Sequence, residues 1–248
     1  MTLINTVSPD FPPNHIAGWF IFNTWLQNTL NERVRLELHD SFTQQQEAIQ
    51  ADQVDMIYAN PADAALLVRE KGFIGVARPA NHADEAVIVV ADTSPIQAVE
   101  DLDANIKVAL TAQPDVNTMG MIMLEPADVS PSTVTKLERD TYVLVAKALM
   151  DGDADVGFFL KDAYENLSSI VKSKLRVLVT SDIQVVRHGL MLGPRMQQHK
   201  AALLEALLAM NSTDNGKDIL NNLGFEAWEE FHSEDVEFMI DLMETLTV

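Results

Sequence analysis

The stretches Ile49-Gln50-Ala51-Asp52-Gln53-Val54-Asp55-Met56-Ile57-Tyr58 and Leu149-Met150-Asp151-Gly152-Asp153-Ala154-Asp155-Val156-Gly157-Phe158 share one layout. Each closes a helix, makes a short polar turn and passes through an aspartate into an apolar strand. A chain that makes this move twice, with strand and helix alternating around each copy, reads as two α/β halves of parallel architecture.

Outward from the first copy, Leu3 to Val7 reads as a strand, Ser8 to Pro13 as a loop, and a helix starts near Asn14. Ile16, Trp19, Phe22, Leu26 and Leu30 recur every three or four residues and give that helix an apolar face. Val34, Leu36 and Leu38 alternate with polar residues as a half-exposed strand does. The first copy is then expected to run as a helix over Thr43 to Ala51 and a strand over Val54 to Tyr58, followed past Asn60-Pro61 by a helix over Ala62 to Glu70. Phe73 to Ala77 and Ala86 to Val90 are further apolar strands.

Around the second copy lie a strand at Ile106 to Leu110, a loop through Pro114 and Asp115, and a helix from about Asn117. Tyr142, Val145, Ala146 and Leu149 mark another amphipathic helix, and Asp155 to Phe159 another strand. Strands at Leu175 to Val179 and His188 to Leu192 precede helices at Arg195 to Met210, Gly216 to Asn222 and Asp235 to Leu246. Those closing helices need a sheet to cover. Folding them back on the first half makes residues 1–84 and 184–248 one discontinuous lobe and 85–183 the other, with crossings near 83–91 and 178–188 and a ligand cleft between lobes.

Composition removes several function classes. A hydrophobic share of 47% over 248 residues suits folded cores. A formal charge of -20, from 37 acidic against 17 basic residues, repels nucleic acid and anionic membranes. Neither a nucleic-acid partner nor membrane insertion is expected. Cysteine is absent, so no disulfide or thiolate metal site is available. No signal peptide is legible, which reads as a cytoplasmic chain, or a periplasmic one trimmed of its leader. The histidines lack metal spacing, and Asp151, Asp153, Asp155 and Asp162 carry Val156 where a calcium loop needs glycine. No metal and no cofactor is expected, and no phosphate loop or nucleophile elbow is present.

Asp55 to Ala64, ending a strand in an Asn-Pro turn, resembles the substrate-binding components of phosphate/phosphite/phosphonate ABC transporters. The resemblance extends through Ala86 to Ile96 with Asp101-Leu102, Gly152 to Gly157, Arg176 to Leu178 with Ser181, and Met210 to Gly216 with Leu220 and Leu223-Gly224. It implies a type 2 periplasmic-binding-protein fold, each lobe a mixed, mostly parallel sheet flanked by helices. It also implies a small, anionic ligand and a permease or sensory partner. The family's anion sits on a helix N-terminus introduced by a Ser-Thr-Ser-Gly-like segment, where free N–H groups and the helix dipole favour negative charge. The matching stretch here is Asn117-Thr118-Met119-Gly120, with fewer hydroxyls.

The expected ligand contacts are therefore Asn117, Thr118 and Met119, with Tyr58 and Asn60 at a strand end and Phe11 in the first loop. His82, Arg187 and His188 beside the crossings offer positive charge, and Asp155 is either a ligand contact or a brace at a strand start. No residue is assigned a catalytic role. Two alternatives stay open: a cytoplasmic enzyme on the same fold, such as a dehydratase of menaquinone synthesis of the chorismate-dehydratase type, and a ligand-free interaction module.

Overall fold

The computed structural model describes residues 2–103 and 105–247. The chain divides into two compact units, one of Met1–Ala83 with Arg187–Leu242 and the other of Asp84–Val186 with Met243–Val248. We call them unit 1 and unit 2.

Unit 1 is built on β1 (Leu3–Val7), α1 (Ile16–Leu30), β2 (Val34–Leu38), α2 (Phe42–Gln50), β3 (Met56–Ala59) and β4 (Ile74–Pro79). Unit 2 follows with β5 (Ala86–Ala91), β6 (Lys107–Leu110), α3 (Pro114–Ile122), β7 (Thr135–Glu138), α4 (Tyr142–Met150), β8 (Val156–Leu160), α5 (Lys161–Glu165), α6 (Ser169–Lys172) and β9 (Leu175–Thr180). The chain then returns with β10 (Gly189–Leu192), α7 (Lys200–Leu208), α8 (Asp214–Leu223), β11 (Trp228–Glu230) and α9 (Ser233–Thr247).

The strand order is β11-β4-β10-β3-β1-β2 in unit 1 and β7-β6-β8-β5-β9 in unit 2. In unit 1, β1 pairs parallel with β2 and β3, while β10 runs antiparallel between β3 and β4. In unit 2, β6 pairs parallel with β7 and β8, while β5 runs antiparallel between β8 and β9. Both sheets are thus mixed: β10 and the edge strand β11 run against the others in unit 1, and β5 does so in unit 2.

The two copies seen in the sequence are equivalent in structure. Ser41 caps α2 by accepting from the Gln44 amide, and Thr141 caps α4 by accepting from the Leu144 amide. Both helices end in the same pair of bonds: Asp52 N to Ile49 O and Gln53 N to Ala48 O in one, Gly152 N to Leu149 O and Asp153 N to Ala148 O in the other. The left-handed residue that this closure requires is Asp52 (φ 56°) in unit 1 and Gly152 (φ 75°) in unit 2. Those closing turns hold Gln53 and Val54 outside the ladder, so β3 begins at Met56, two residues after its expected start.

On α1 the buried face is Gly18, Trp19, Phe22, Asn23 and Leu26, while Ile16, expected to be buried, is 43% exposed. Ile16 opens the helix after a 3-10 turn at Pro13–His15 and precedes its contact with the sheet. Gly18 allows α8 to cross closely, since an added Cβ would run into the Asn222 carbonyl. The helix expected over Ala62 to Glu70 is a 3-10 turn, Pro61–Asp63, followed by a π turn, Leu66–Glu70, closed by Lys71 N to Leu66 O. The long helix expected from Arg195 opens instead as a 3-10 run, Pro194–His199, before α7.

Candidate functional site

In unit 1 the C-terminal ends of β1 and β3 and the residue entering β10 bring Asp10, Asn60 and His188 together. The Ser8 amide donates to the Tyr58 carbonyl at 2.8 Å, which fixes the loop after β1 against the end of β3. Asn60 is fully buried: its Oδ1 accepts from the Ala62 amide at 2.9 Å and its Nδ2 donates to Asp10 at 2.8 Å. The His188 Nε2 lies 3.1 Å from the same carboxylate, and its ring stacks on Tyr58 at 5.4 Å. Burial opposes the charge on Asp10, but the His188 imidazolium and the hydrogen bonds from His188 and Asn60 outweigh it and hold the carboxyl below its ordinary value. The Ser8 hydroxyl adds to this from nearby, without a hydrogen bond of ordinary geometry.

Asp63, one turn beyond Asn60, is pushed the other way. Burial raises its pKa, the Asp10 charge adds to that, and donation from Gln46 (2.8 Å) and Gln45 (3.0 Å) opposes it. Two carboxylates displaced in opposite directions are the mark of an acid and base pair. Here both Asp63 oxygens are occupied by the glutamine amides, so the residue fastens α2 to the turn after β3 and directs no proton outward.

Of the basic residues named from the sequence, Arg187 and His188 are paired with acids, while His82 is held through its backbone carbonyl. Arg187 pairs with Glu229 at 3.4 Å and donates to the His82 carbonyl at 3.3 Å, and Arg78 shares the same glutamate at 2.9 Å. Tyr58 is buried in an aromatic cluster with Trp19, Phe225 and Trp228, and Phe11 packs partly buried against that core.

In unit 2 the expected helix start shifts. α3 begins at Pro114, three residues before Asn117, and the Asn117 amide already donates to the Gln113 carbonyl at 3.1 Å. Proline at the first position and an extended Gln113 before it set this start, so Asn117 and Thr118 lie within the helix. The Asn117 amide is therefore no longer a free donor; its side chain instead donates to the Thr111 carbonyl at 2.8 Å. Met119 is buried in the core of unit 2.

Asp155 stands apart from these groups. It is exposed at the start of β8, donates its amide to the Lys107 carbonyl and accepts the Lys107 amide at 2.8 Å. Asp55 makes the same two bonds to Ile4. The Asp155 side chain thus makes the strand-start brace that the sequence offered as one of its two readings.

Asp10 and the buried acids Asp84 and Asp115 were not singled out from the sequence. A Pro-Asp pair after a strand was the available signal at Asp10 and Asp115; Asp84 gives none, because its burial follows from the strand it precedes.

Comparison with known proteins agrees with this architecture. The profile of the family described as "ABC transporter, phosphonate, periplasmic substrate-binding protein" matches residues 6–236. No curated protein matches. Among solved structures, XAC2383 from Xanthomonas citri bound to chloride ion has a TM-score of 0.83 at 15% identity, covering 99% of this chain and 98% of that one. PhnD1 from Prochlorococcus marinus in complex with methylphosphonate gives 0.80 at 14% identity, covering 99% and 98%. A binding protein component of an ABC phosphonate transporter from Pseudomonas aeruginosa gives 0.76 at 14%, covering 99% and 87%. At these identities the structures share the fold, and the profile match over nearly the whole chain shows more: this protein belongs to the phosphonate ABC-transporter family of periplasmic substrate-binding proteins.

Proposed function

We propose that this chain captures a small anionic solute of the phosphonate class and delivers it to a membrane permease or a sensory partner, performing no chemistry on it. The observation that carries this reading is the family match over residues 6–236. The periplasm, where the family works, is the proposed compartment. No helix among the described residues is long and apolar enough to cross a membrane.

The pairing of the arginines with Glu229 favours neutral donors as the anion's partners. Arg187 and Arg78 are engaged by Glu229, so hydroxyl and amide groups such as Thr118 are left to meet an anion. In unit 1, Tyr58 and His188 are the proposed contacts, positioned by Asp10 and Asn60. The absence of chemistry is supported by Asp63, whose oxygens are held by two glutamine amides.

The test is a thermal-shift panel of phosphate, phosphite, alkylphosphonates, sulfonates and carboxylates, on the wild type and on Thr118→Val and Tyr58→Phe. A ligand at about a hundred times its Kd stabilises by about 2.7 kcal/mol, several degrees for a chain of this size. A selective rise with phosphonates that either variant reduces supports the proposal. A flat panel would overturn the proposal and direct the search to a protein partner.

A further inference from the structure

Between Asp10 and Glu32 the sequence carries no aspartate, glutamate, lysine or arginine, in a chain where 22% of residues are charged. The stretch contains α1, and three large apolar side chains of that helix face water: Ile16 is 43%, Phe20 54% and Ile21 44% exposed. Ile16, Phe20 and Thr24 follow one another at four-residue steps, as do Ala17 and Ile21, and all are exposed, so they form two adjacent ridges on one face. His15, the one ionisable side chain of the stretch, is half-buried against Gly224 at the end of α8.

Elsewhere among the described residues, exposed large apolar side chains have charged neighbours. Ile170, the most exposed, precedes Lys172 and Lys174, and Phe238 stands among Glu234, Glu237 and Asp241. Val143 and Leu144 share α4 with Lys147.

Charge decides what the α1 face meets. Two copies of a chain with a net charge of -20 repel each other wherever acidic surface meets acidic surface. Repulsion is least where a face has no charge, and across a two-fold axis the same ridges supply both sides of the contact, so the face complements itself. A basic partner would be matched by the acidic surface and would need no neutral face, and an anionic membrane is repelled by the chain as a whole.

We propose that the exposed face of α1 pairs with α1 of a second copy, forming a weak two-fold dimer in which Ile16, Phe20 and Ile21 pack across the axis. The dimer goes beyond the carrier reading and does not rest on it. The contact is one helix about 22 Å long, at the small end of interface sizes, so a dissociation constant of roughly 10–100 µM is expected.

Sedimentation velocity on the whole chain, over concentrations bracketing that value, tests the proposal. The expected result is a monomer–dimer equilibrium that tightens as added salt screens the like charges. Phe20→Glu, which sets like charges against each other at the axis, should weaken it by about tenfold or more. Ile21→Asn, which removes apolar area without adding charge, should weaken it about threefold and carries the test where Phe20→Glu folds poorly. Phe238→Glu, on the exposed face of α9, should leave it unchanged. A monomer at every concentration overturns the proposal. So does a dimer that salt weakens, one that survives both α1 substitutions, or one that Phe238→Glu dissolves as readily.

Discussion

The α2–β3 corner of unit 1 and the α4–β8 corner of unit 2 solve one problem with the same parts and different surroundings. In both, a hydroxyl residue caps the helix, a left-handed residue ends it, and an aspartate grips the amide of the neighbouring central strand. Asp55 is buried and also receives Arg195 through two bonds, 2.5 and 2.8 Å long, whereas Asp155 is exposed and holds only the Lys107 amide. The lesson is that a repeated local motif fixes the path of the chain, while burial decides how much energy rests on it. A carboxylate sealed under an arginine becomes a keystone; the same carboxylate in water is an ordinary turn residue.

The sharpest way to break that comparison is to remove each aspartate. Asp55→Ala is expected to cost about 3 kcal/mol, since it leaves a buried strand amide unsatisfied and strands Arg195 without its partner. A urea midpoint close to the wild-type value would show that burial had not raised the worth of the motif. At the tip of the neighbouring strand, Asp10→Asn should cost about 2 kcal/mol at neutral pH by uncoupling His188. Because the folded Asp10 titrates below its ordinary value of 3.8, its contribution is complete above that value and is lost as pH falls through the lower, folded one. Stability curves of wild type and Asp10→Asn should therefore separate at neutral pH and converge in acid; parallel curves would remove the His188 pairing as the cause.

Asp155→Ala should cost only about 1 kcal/mol, one exposed side-chain to backbone bond, and leave the ligand-induced thermal shift unchanged. Loss of that shift would return Asp155 to the ligand contacts. The smallest effects come from the helix closures. Gly152→Ala meets no atom within 4 Å, so its cost, about 1 kcal/mol, is that of a left-handed Cβ alone. Asp52→Gly relieves the same strain and gives up an exposed ion pair to Lys71, so differential scanning calorimetry should find a net change under about 0.5 kcal/mol.

Much of this was legible in the chain. Alternation of apolar residues gave β2, the unbroken run Ala86 to Val90 gave a buried strand, and the helix-turn-aspartate-strand pattern announced the duplicated halves. The offset of one hundred residues between Asp40-Ser41-Phe42 and Asp140-Thr141-Tyr142 was also present in the letters, though only the structure shows that the two caps are equivalent. The start of α3 was misplaced because Pro114 was read as a loop residue: at a first helical position it marks the true start, and Asn117 lies one turn inside.

By itself the sequence determined the α/β class, the duplicated halves, the family and the order of its elements, because periodicity and turn chemistry act over a few residues at a time. Only the tertiary structure decided that Asp10, Asn60 and His188 meet, that Arg187 pairs with Glu229, and that the Asn117 side chain donates to the Thr111 carbonyl. The reason is physical: charge, burial and hydrogen-bond satisfaction depend on neighbours far away in the chain, 178 residues apart for Asp10 and His188, which no local pattern can bring together on paper.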